Sequence, residues 1–322
     1  MTAPRSTPLN ALGQAFAGRL QENVQLANYT TAHAGGAADA MLVVHDALEL
    51  EDAVRKLWEL DVPFTILGSG SNVLVSDNGF RGIVLLNRAK TVKIDARSTP
   101  PSVWAESGAN LGAIARQVAL RGLSGLEWAA TIPGTVGGAV YGNAGAHGSD
   151  MHANLMLAEI LHRKQGKKEW SADQLQYGYR TSLLKKHPGQ AVILSSRLKL
   201  AQSTPAEVQA RMDEYSGRRR STQPPGASLG SMFKNPEGDY AGRLIEAAGL
   251  KGTRIGGVQV SPVHANFFIN DENATASDID RLLRLVQQTV FEKFSIKLEM
   301  EIEKIGDWPA KPGGQENHGA SD

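Results

Sequence analysis

The chain has 322 residues, 41% hydrophobic and 21% charged, which suits a globular protein with room for two or three domains and excludes a fibrous or disordered one. A formal net charge of +1 provides no field to recruit nucleic acid, so any anion site has to be built locally. There is no cysteine, which removes disulfides, thiolate metal sites and cysteine nucleophiles together. Residues 1–10 lack the apolar core of a secretion signal, and no apolar run is long enough to span a bilayer; a cytoplasmic protein is expected.

Residues 46–60 carry apolar side chains at Leu50, Ala53, Val54, Leu57 and Trp58, the stripe of an amphipathic helix. A strand at 63–67, a glycine turn at 68–72 and a strand at 73–75 follow, predicting a small α/β unit that reaches about Leu86. A second helix starts after Asn110, a good N-cap type, runs through Leu111, Ile114, Ala115 and Val118, and stops at Gly122. Residues 155–161 and 191–200 read as strands, the second alternating through Val192, Leu194, Leu198 and Leu200. Thr204, Pro205 and Glu207 form a capping box with proline at the first helical position, so a helix opens there, and a domain boundary is placed just before it. The last helix, 277–294, is apolar at Ile279, Leu282, Leu283, Val286 and Val290. Residues 296–302 alternate Ile296, Leu298, Met300 and Ile302 with Lys297, Glu299 and Glu301, which predicts a final strand. From Pro309 to Asp322 the composition is that of a disordered tail.

The most informative stretch is 130–148. Gly134, Gly137, Gly138, Gly142, Gly145 and Gly148 alternate there with small or apolar residues, and no charge intervenes. A flexible linker would be polar, whereas Ile132, Val136, Val140 and Tyr141 favour burial. Glycine in such a setting marks a positive φ or a close approach, and a run of bare N–H groups receives a diphosphate well. The stretch therefore reads as a buried, phosphate-cradling loop. Gly68-Ser69-Gly70-Ser71-Asn72 lies upstream between two strands. A dinucleotide fingerprint needs a helix after its glycines and a third glycine where Val73 stands, and no P-loop pattern occurs. Together the two glycine segments predict a two-sided grip on a pyrophosphate.

Several further segments join them in order. They are Tyr29-Thr30-Thr31 with Gly35-Gly36, Ile132-Pro133-Gly134-Thr135-Val136-Gly137-Gly138-Ala139 continuing to Asn143-Ala144-Gly145-Ala146, and Tyr179-Arg180-Thr181-Ser182. Then come Gly230-Ser231-Met232-Phe233-Lys234-Asn235-Pro236, Ala241-Gly242-Arg243-Leu244-Ile245-Glu246, His264-Ala265-Asn266-Phe267 and Leu298-Glu299-Met300-Glu301-Ile302. From about residue 20 to Gly306 the chain resembles the UDP-N-acetylenolpyruvoylglucosamine reductase family, flavoenzymes that make UDP-N-acetylmuramate for peptidoglycan. The resemblance implies an α+β protein: a two-subdomain FAD-binding fold of the vanillyl-alcohol-oxidase/PCMH type (20–86 and 87–203), a C-terminal α/β substrate domain (204–306) and a tail (309–322). It implies non-covalent FAD, NADPH as hydride donor and a monomer without nucleic-acid, membrane or metal partners. The short stretch between Arg180 and Ala191 resembles the subtype that lacks a substrate-closing loop.

The flavin contacts implied are Gly68, Ser69, Gly70, Ser71 and Asn72 on one side, with Pro133, Gly134, Thr135, Gly137, Gly138, Asn143 and Gly145 on the other. Tyr179, Arg220, Lys234 and Asn235 are the implied substrate contacts. By residue type alone Ser231 is a turn or cap residue. In the family's mechanism a hydride passes from flavin N5 to C3 of the enolpyruvyl group, and the carbanion character left at C2 is basic enough to take a hydroxyl proton; Ser231 matches the donor. Lys234 lowers that hydroxyl's pKa if it folds back.

Arg180 by default is a surface cation. In the family pattern it binds the substrate carboxylate, where a guanidinium offers two donors to two oxygens and keeps its charge. Strand alternation puts Glu299, Glu301 and Glu303 on one polar face, by itself a solvated edge; only the resemblance selects Glu301 as third catalytic residue, to orient Arg180 or polarise the enol ether. Arg218-Arg219-Arg220 end a helix, where the dipole favours cations, and a diphosphate would use them equally. Thr222 departs from the family, which often has lysine there, and shifts diphosphate binding to Arg220 or another cation. The histidines lack metal-ligand spacing, and His264 reads as structural. Two other readings stay open: a related flavoprotein oxidase or dehydrogenase, which need not keep 230–236 or Glu301, and a nucleotide-binding module without catalysis.

Overall fold

The computed structural model describes residues 9–16 and 18–309, so the expected disordered tail lies outside the described residues apart from Pro309. The helix expected at 46–60 forms as Ala47–Glu59, with Asp46 accepting the Glu49 N–H at 2.8 Å. It buries Leu50, Ala53, Val54 and Leu57 against a four-stranded sheet ordered Gln21–Gln25, Ala37–Val44, Phe80–Asn87, Phe64–Leu67. The three pairings in that order are antiparallel, parallel and parallel. Phe80–Asn87 is covered on both faces: Ile83 and Leu85 join the helix side, Val84 and Leu86 the side of Leu26 and Met41. Strand Val73–Val75 leaves this sheet and pairs in parallel with Glu303–Ile305 from the end of the chain.

The second unit is a five-stranded antiparallel sheet ordered Gly166–Trp170, Leu155–His162, Ala191–Lys199, Ser102–Glu106, Val92–Asp95. Helix Leu111–Ala119 forms where expected, with Asn110 accepting the Ala113 N–H at 2.7 Å. Leu161, Val192 and Leu194 pack into the first unit's core, so the two units share apolar contacts. The capping box at Thr204 opens helix Pro205–Thr222, but Val208 and Met212 bury into the second unit, with Tyr215 beside them. The helix therefore packs upstream of the boundary placed before it. A cap specifies where a helix starts and carries no information on which core receives its apolar face.

The third unit has a short antiparallel sheet (Arg254–Ile255, Val258–Val260, Phe268–Asn270) under helices Ala241–Ala247 and Ala276–Phe294. Residues 296–302 do not form the ladder strand that their alternation suggested; Met300 is 38% exposed and makes one isolated bridge to Phe233. Leu298 and Ile302 are buried as expected, because alternation sets which way side chains face and not whether a partner strand lies alongside. The mixed content is α+β. Asp77 of the first unit accepts the N–H groups of Ala276 and Ser277, both at 2.8 Å, and thereby anchors the last helix. Asp77→Ala should lower global stability by about 1 kcal/mol, with Asp77→Asn keeping part of it; denaturant unfolding at equal slope checks this, and an unchanged midpoint would refute the anchor.

Candidate active site

The turn after Phe64–Leu67 passes beneath Tyr29 and Thr30. Gly70 has φ +62°, and a Cβ there would sit 2.0 Å from the Tyr29 carbonyl oxygen, so only glycine fits. The Thr31 N–H donates to the Gly70 carbonyl at 3.1 Å. Across the gap, Ser71 Oγ donates to the Pro133 carbonyl at 3.2 Å, and a Cβ on Gly68 would lie 2.6 Å from Thr135 Oγ1. The two glycine segments thus face each other in contact. Among the described residues no acceptor takes the N–H groups of Ser69, Gly70, Ser71, Gly134 or Thr135. Unpaired N–H groups on two facing turns are a backbone arrangement that can receive a diphosphate.

The 130–148 segment is not a loop throughout. Val136–Gly142 is helical, capped by Thr135 Oγ1 accepting from Gly138 N–H at 3.4 Å. Gly137 lies flat on Ser107, donating to its carbonyl at 2.7 Å, and a Cβ would meet Ser107 Cβ at 2.9 Å. The N–H groups of Gly137 and Gly138 are therefore engaged within the protein, and Gly137 serves close packing. The helix ends at Asn143, which has φ +48° and is 3% exposed. Its Nδ2 donates to Asp150 Oδ2 and to the Gly178 carbonyl, each at 3.1 Å, while its Oδ1 accepts the His152 N–H at 3.0 Å. Both amide protons are used, so Asn143 holds the turn that presents Arg180.

In that turn, Gly178 and Thr181 exchange backbone hydrogen bonds of 3.1 and 3.2 Å, and Arg180 takes φ +56°. The Arg180 Nε donates to Glu301 Oε1 at 2.7 Å and Nη2 donates to the Gly145 carbonyl at 2.7 Å. The Arg and Glu side chains are 23% and 18% exposed, so the pair is strengthened by partial removal from water. The Tyr179 ring lies 5.2 Å from the guanidinium carbon. Among the described residues nothing accepts from Nη1, which leaves donors for an external anion. One step along, Lys185 pairs with Glu303 at 2.6 Å. Burial, with Glu303 adding to it, pushes the Tyr141 phenol up to about 12.

Ser231 lies on a short extended segment held on both sides. On one side it faces Phe267, and the Met232 N–H donates to the Asn266 carbonyl at 2.9 Å. On the other, the Met232 carbonyl accepts the Glu301 N–H at 2.9 Å and the Lys234 N–H donates to the Glu299 carbonyl at 2.8 Å. This pairing brings Ser231 and Glu301 onto neighbouring segments. Asn72 reaches the same place: its Nδ2 donates to the Glu301 carbonyl at 3.1 Å and its carbonyl accepts the Glu303 N–H at 2.9 Å. The half-buried Ser231 hydroxyl has no hydrogen-bond partner among the described residues.

The expected substrate contacts divide. Lys234 pairs with Glu299 at 3.2 Å and does not fold back onto Ser231. Asn235 Oδ1 accepts the Ala241 N–H at 3.1 Å at the start of a helix, and its N–H donates to the half-exposed Tyr179 hydroxyl at 3.5 Å. Arg220 is exposed, whereas Arg219 turns inward to donate to the Thr131 carbonyl beside the second glycine segment. Thr222 donates its hydroxyl to the Arg218 carbonyl at 2.7 Å within the helix. His147 stacks on Tyr215 at 4.2 Å between ring centres, and burial, then Arg218 and Arg219, hold its imidazole below the usual histidine range. Sequence reasoning placed Asn266 in a family motif without giving it a role, and missed the Lys185–Glu303 pair; each is an ordinary polar residue until the partner segment is known.

Comparison with known proteins follows the same lines. Residues 38–167 match the family model of an FAD binding domain, and residues 222–305 match that of the UDP-N-acetylenolpyruvoylglucosamine reductase C-terminal domain. A UDP-N-acetylenolpyruvoylglucosamine reductase of Rubrobacter xylanophilus is 43% identical over 282 residues, covering 88% of this chain and 94% of that protein. The one from Bacillus subtilis is 40% identical over 292 residues, covering 90% and 95% respectively. The crystal structure of the Thermus caldophilus reductase superposes with a TM-score of 0.77 at 35% identity, covering 89% of this chain and 99% of that one. With its two facing glycine turns and its Arg180–Glu301 pair beside Ser231, the chain belongs to the UDP-N-acetylenolpyruvoylglucosamine reductase family.

Proposed function

We propose that the chain reduces the enolpyruvyl group of UDP-N-acetylenolpyruvoylglucosamine to give UDP-N-acetylmuramate, using FAD and NADPH. The observation that carries this reading is the convergence of Arg180, Glu301 and Ser231 from distant parts of the chain beside an anion-binding concavity. The unpaired N–H groups of Ser69, Gly70, Ser71, Gly134 and Thr135 suit the FAD diphosphate. When bound, the flavin supplies to C3 of the substrate a hydride received from NADPH. The Nη1 face of Arg180 takes the substrate carboxylate and stabilises the charge that builds there. Glu301 acts through Arg180, fixing the guanidinium by its 2.7 Å bond, which favours the orienting role over direct polarisation of the ether. Ser231, whose hydroxyl has no partner among the described residues, delivers the proton to C2.

In this reading the substrate unit begins after helix Pro205–Thr222, in keeping with that helix's upstream packing. Diphosphate recognition falls to the arginines at that helix's end, since Thr222 is turned back onto the helix. Among the described residues no helix is long and apolar enough to cross a membrane.

In this reading the flavin is held without a covalent link: there is no cysteine for a thioether, and His147, near the second glycine segment, is stacked on Tyr215. Acid precipitation should release all of it into the supernatant; yellow colour retained in the pellet would contradict this. Arg180→Lys keeps the charge but cannot reach Glu301, Gly145 and a carboxylate at once, so reoxidation of reduced flavin by substrate should fall by about 10² or more while reduction by NADPH changes little. An equal fall in both half-reactions in stopped flow would remove the carboxylate role. Ser231→Ala should likewise spare reduction and slow reoxidation by about 10²–10⁴, and Ser231→Cys should restore part of it because a thiol is the stronger acid. Wild-type reoxidation in the alanine variant would leave Ser231 a turn residue.

A further inference from the structure

Asn266 is 3% exposed and lies at the end of the turn that precedes Phe268–Asn270. Four hydrogen bonds surround it. Its carbonyl accepts the Met232 N–H at 2.9 Å, its Oδ1 accepts the Phe233 N–H at 3.0 Å, and its Nδ2 donates to the Phe233 carbonyl at 2.8 Å. Its own N–H donates to His264 Nδ1 at 3.2 Å, which fixes the turn. The side-chain amide thus treats Phe233 as one strand treats the next, offering a donor and an acceptor to the two groups of a single residue. Phe233 itself is fully buried and packs edge-on against Phe268.

The consequence falls on Ser231. Backbone pairing with Phe267 holds it on one side, and the next two peptide units are gripped by Asn266 on that side and by Glu301 and Glu299 on the other. The hydroxyl therefore projects from a backbone with little freedom to rotate. A proton donor needs its reacting atom held to within a fraction of an ångström, and a misplacement of about 1 Å costs on the order of 10²-fold in rate. A side-chain amide offers both a donor and an acceptor here at any pH, whereas ionised aspartate would set a second oxygen against the Phe233 carbonyl.

We propose that Asn266 is a positioning residue for the reaction, aiming the Ser231 hydroxyl at the substrate through its double hydrogen bond to Phe233. This rests on the reading of Ser231 as proton donor, and the test separates the two. The variant of choice is Asn266→Asp, which keeps size and one acceptor. In the flavin-loaded protein, reduction by NADPH should stay within about twofold of wild type, while reoxidation by UDP-N-acetylenolpyruvoylglucosamine falls by about 10–10²-fold. Reoxidation should partly recover as pH is lowered, because a protonated carboxyl regains the donor. The double variant Ser231→Ala with Asn266→Asp should reoxidise no more slowly than Ser231→Ala alone, since both changes act through one hydroxyl. Multiplying losses in the double variant would overturn the proposal, as would wild-type reoxidation in Asn266→Asp alongside a crippled Ser231→Ala. Wild-type reoxidation in Ser231→Ala would remove the proton-donor reading and the proposal with it. If neither Asn266→Asp nor Asn266→Ser holds flavin, Asn266 is a folding residue and the proposal falls.

Discussion

Glu301 is where the three units meet, and the geometry of the site depends on the bonds it makes. Its carboxylate pairs with Arg180 from the second unit, its N–H bonds to Met232 of the third, and its carbonyl accepts from Asn72 of the first glycine turn. An ion pair this far out of water gains strength from the lower local dielectric only while both partners stay together; one left alone would be a poorly solvated charge. The same contact that orients the guanidinium therefore also penalises any displacement of the units relative to one another. The Lys185–Glu303 pair repeats the arrangement two residues along the chain, between the same two segments.

A second constraint, close backbone approach, shapes the two facing glycine turns. Gly70 must pass under Tyr29 and Gly68 must lie against Thr135, so neither tolerates a Cβ. What remains open between the turns is a set of N–H groups with no acceptor among the described residues. In the neighbouring helix Gly137 serves packing, since it lets Val136–Gly142 rest on Ser107, which fixes the helix end from which Asn143 holds the Arg180 turn. Packing and orientation of the guanidinium are consequently linked through one short stretch of chain.

Arg180 adopts a left-handed backbone, unusual for a residue with a long side chain, and the surrounding bonds over-determine it. The Gly178–Thr181 exchange, the Asn143 amide and the Gly145 carbonyl each restrict the turn or its side chain. Such a backbone is costly by itself and persists because the restraints act together. Ser231 follows the same logic on the opposite wall, clamped by Asn266 on one side and by 299–301 on the other.

Local signals were legible in the sequence. The apolar stripe at 47–59, the Asn110 and Thr204 caps and the final helix all depend on residues within a few positions of one another, and each formed. Collinear motifs also identified the family, and with it Arg180, Ser231 and Glu301 as residues to watch. Tertiary structure decided the rest. It assigned helix Pro205–Thr222 to the second unit, left 296–302 without a ladder, turned the middle of the glycine segment into helix, and gave Lys234 to Glu299. Each of these outcomes is chosen by a partner far away in the chain, whose position no local periodicity or cap encodes. Asn266 shows the limit most clearly: nothing in His-Ala-Asn-Phe announces a clamp, and the role exists only because Phe233 is brought against it.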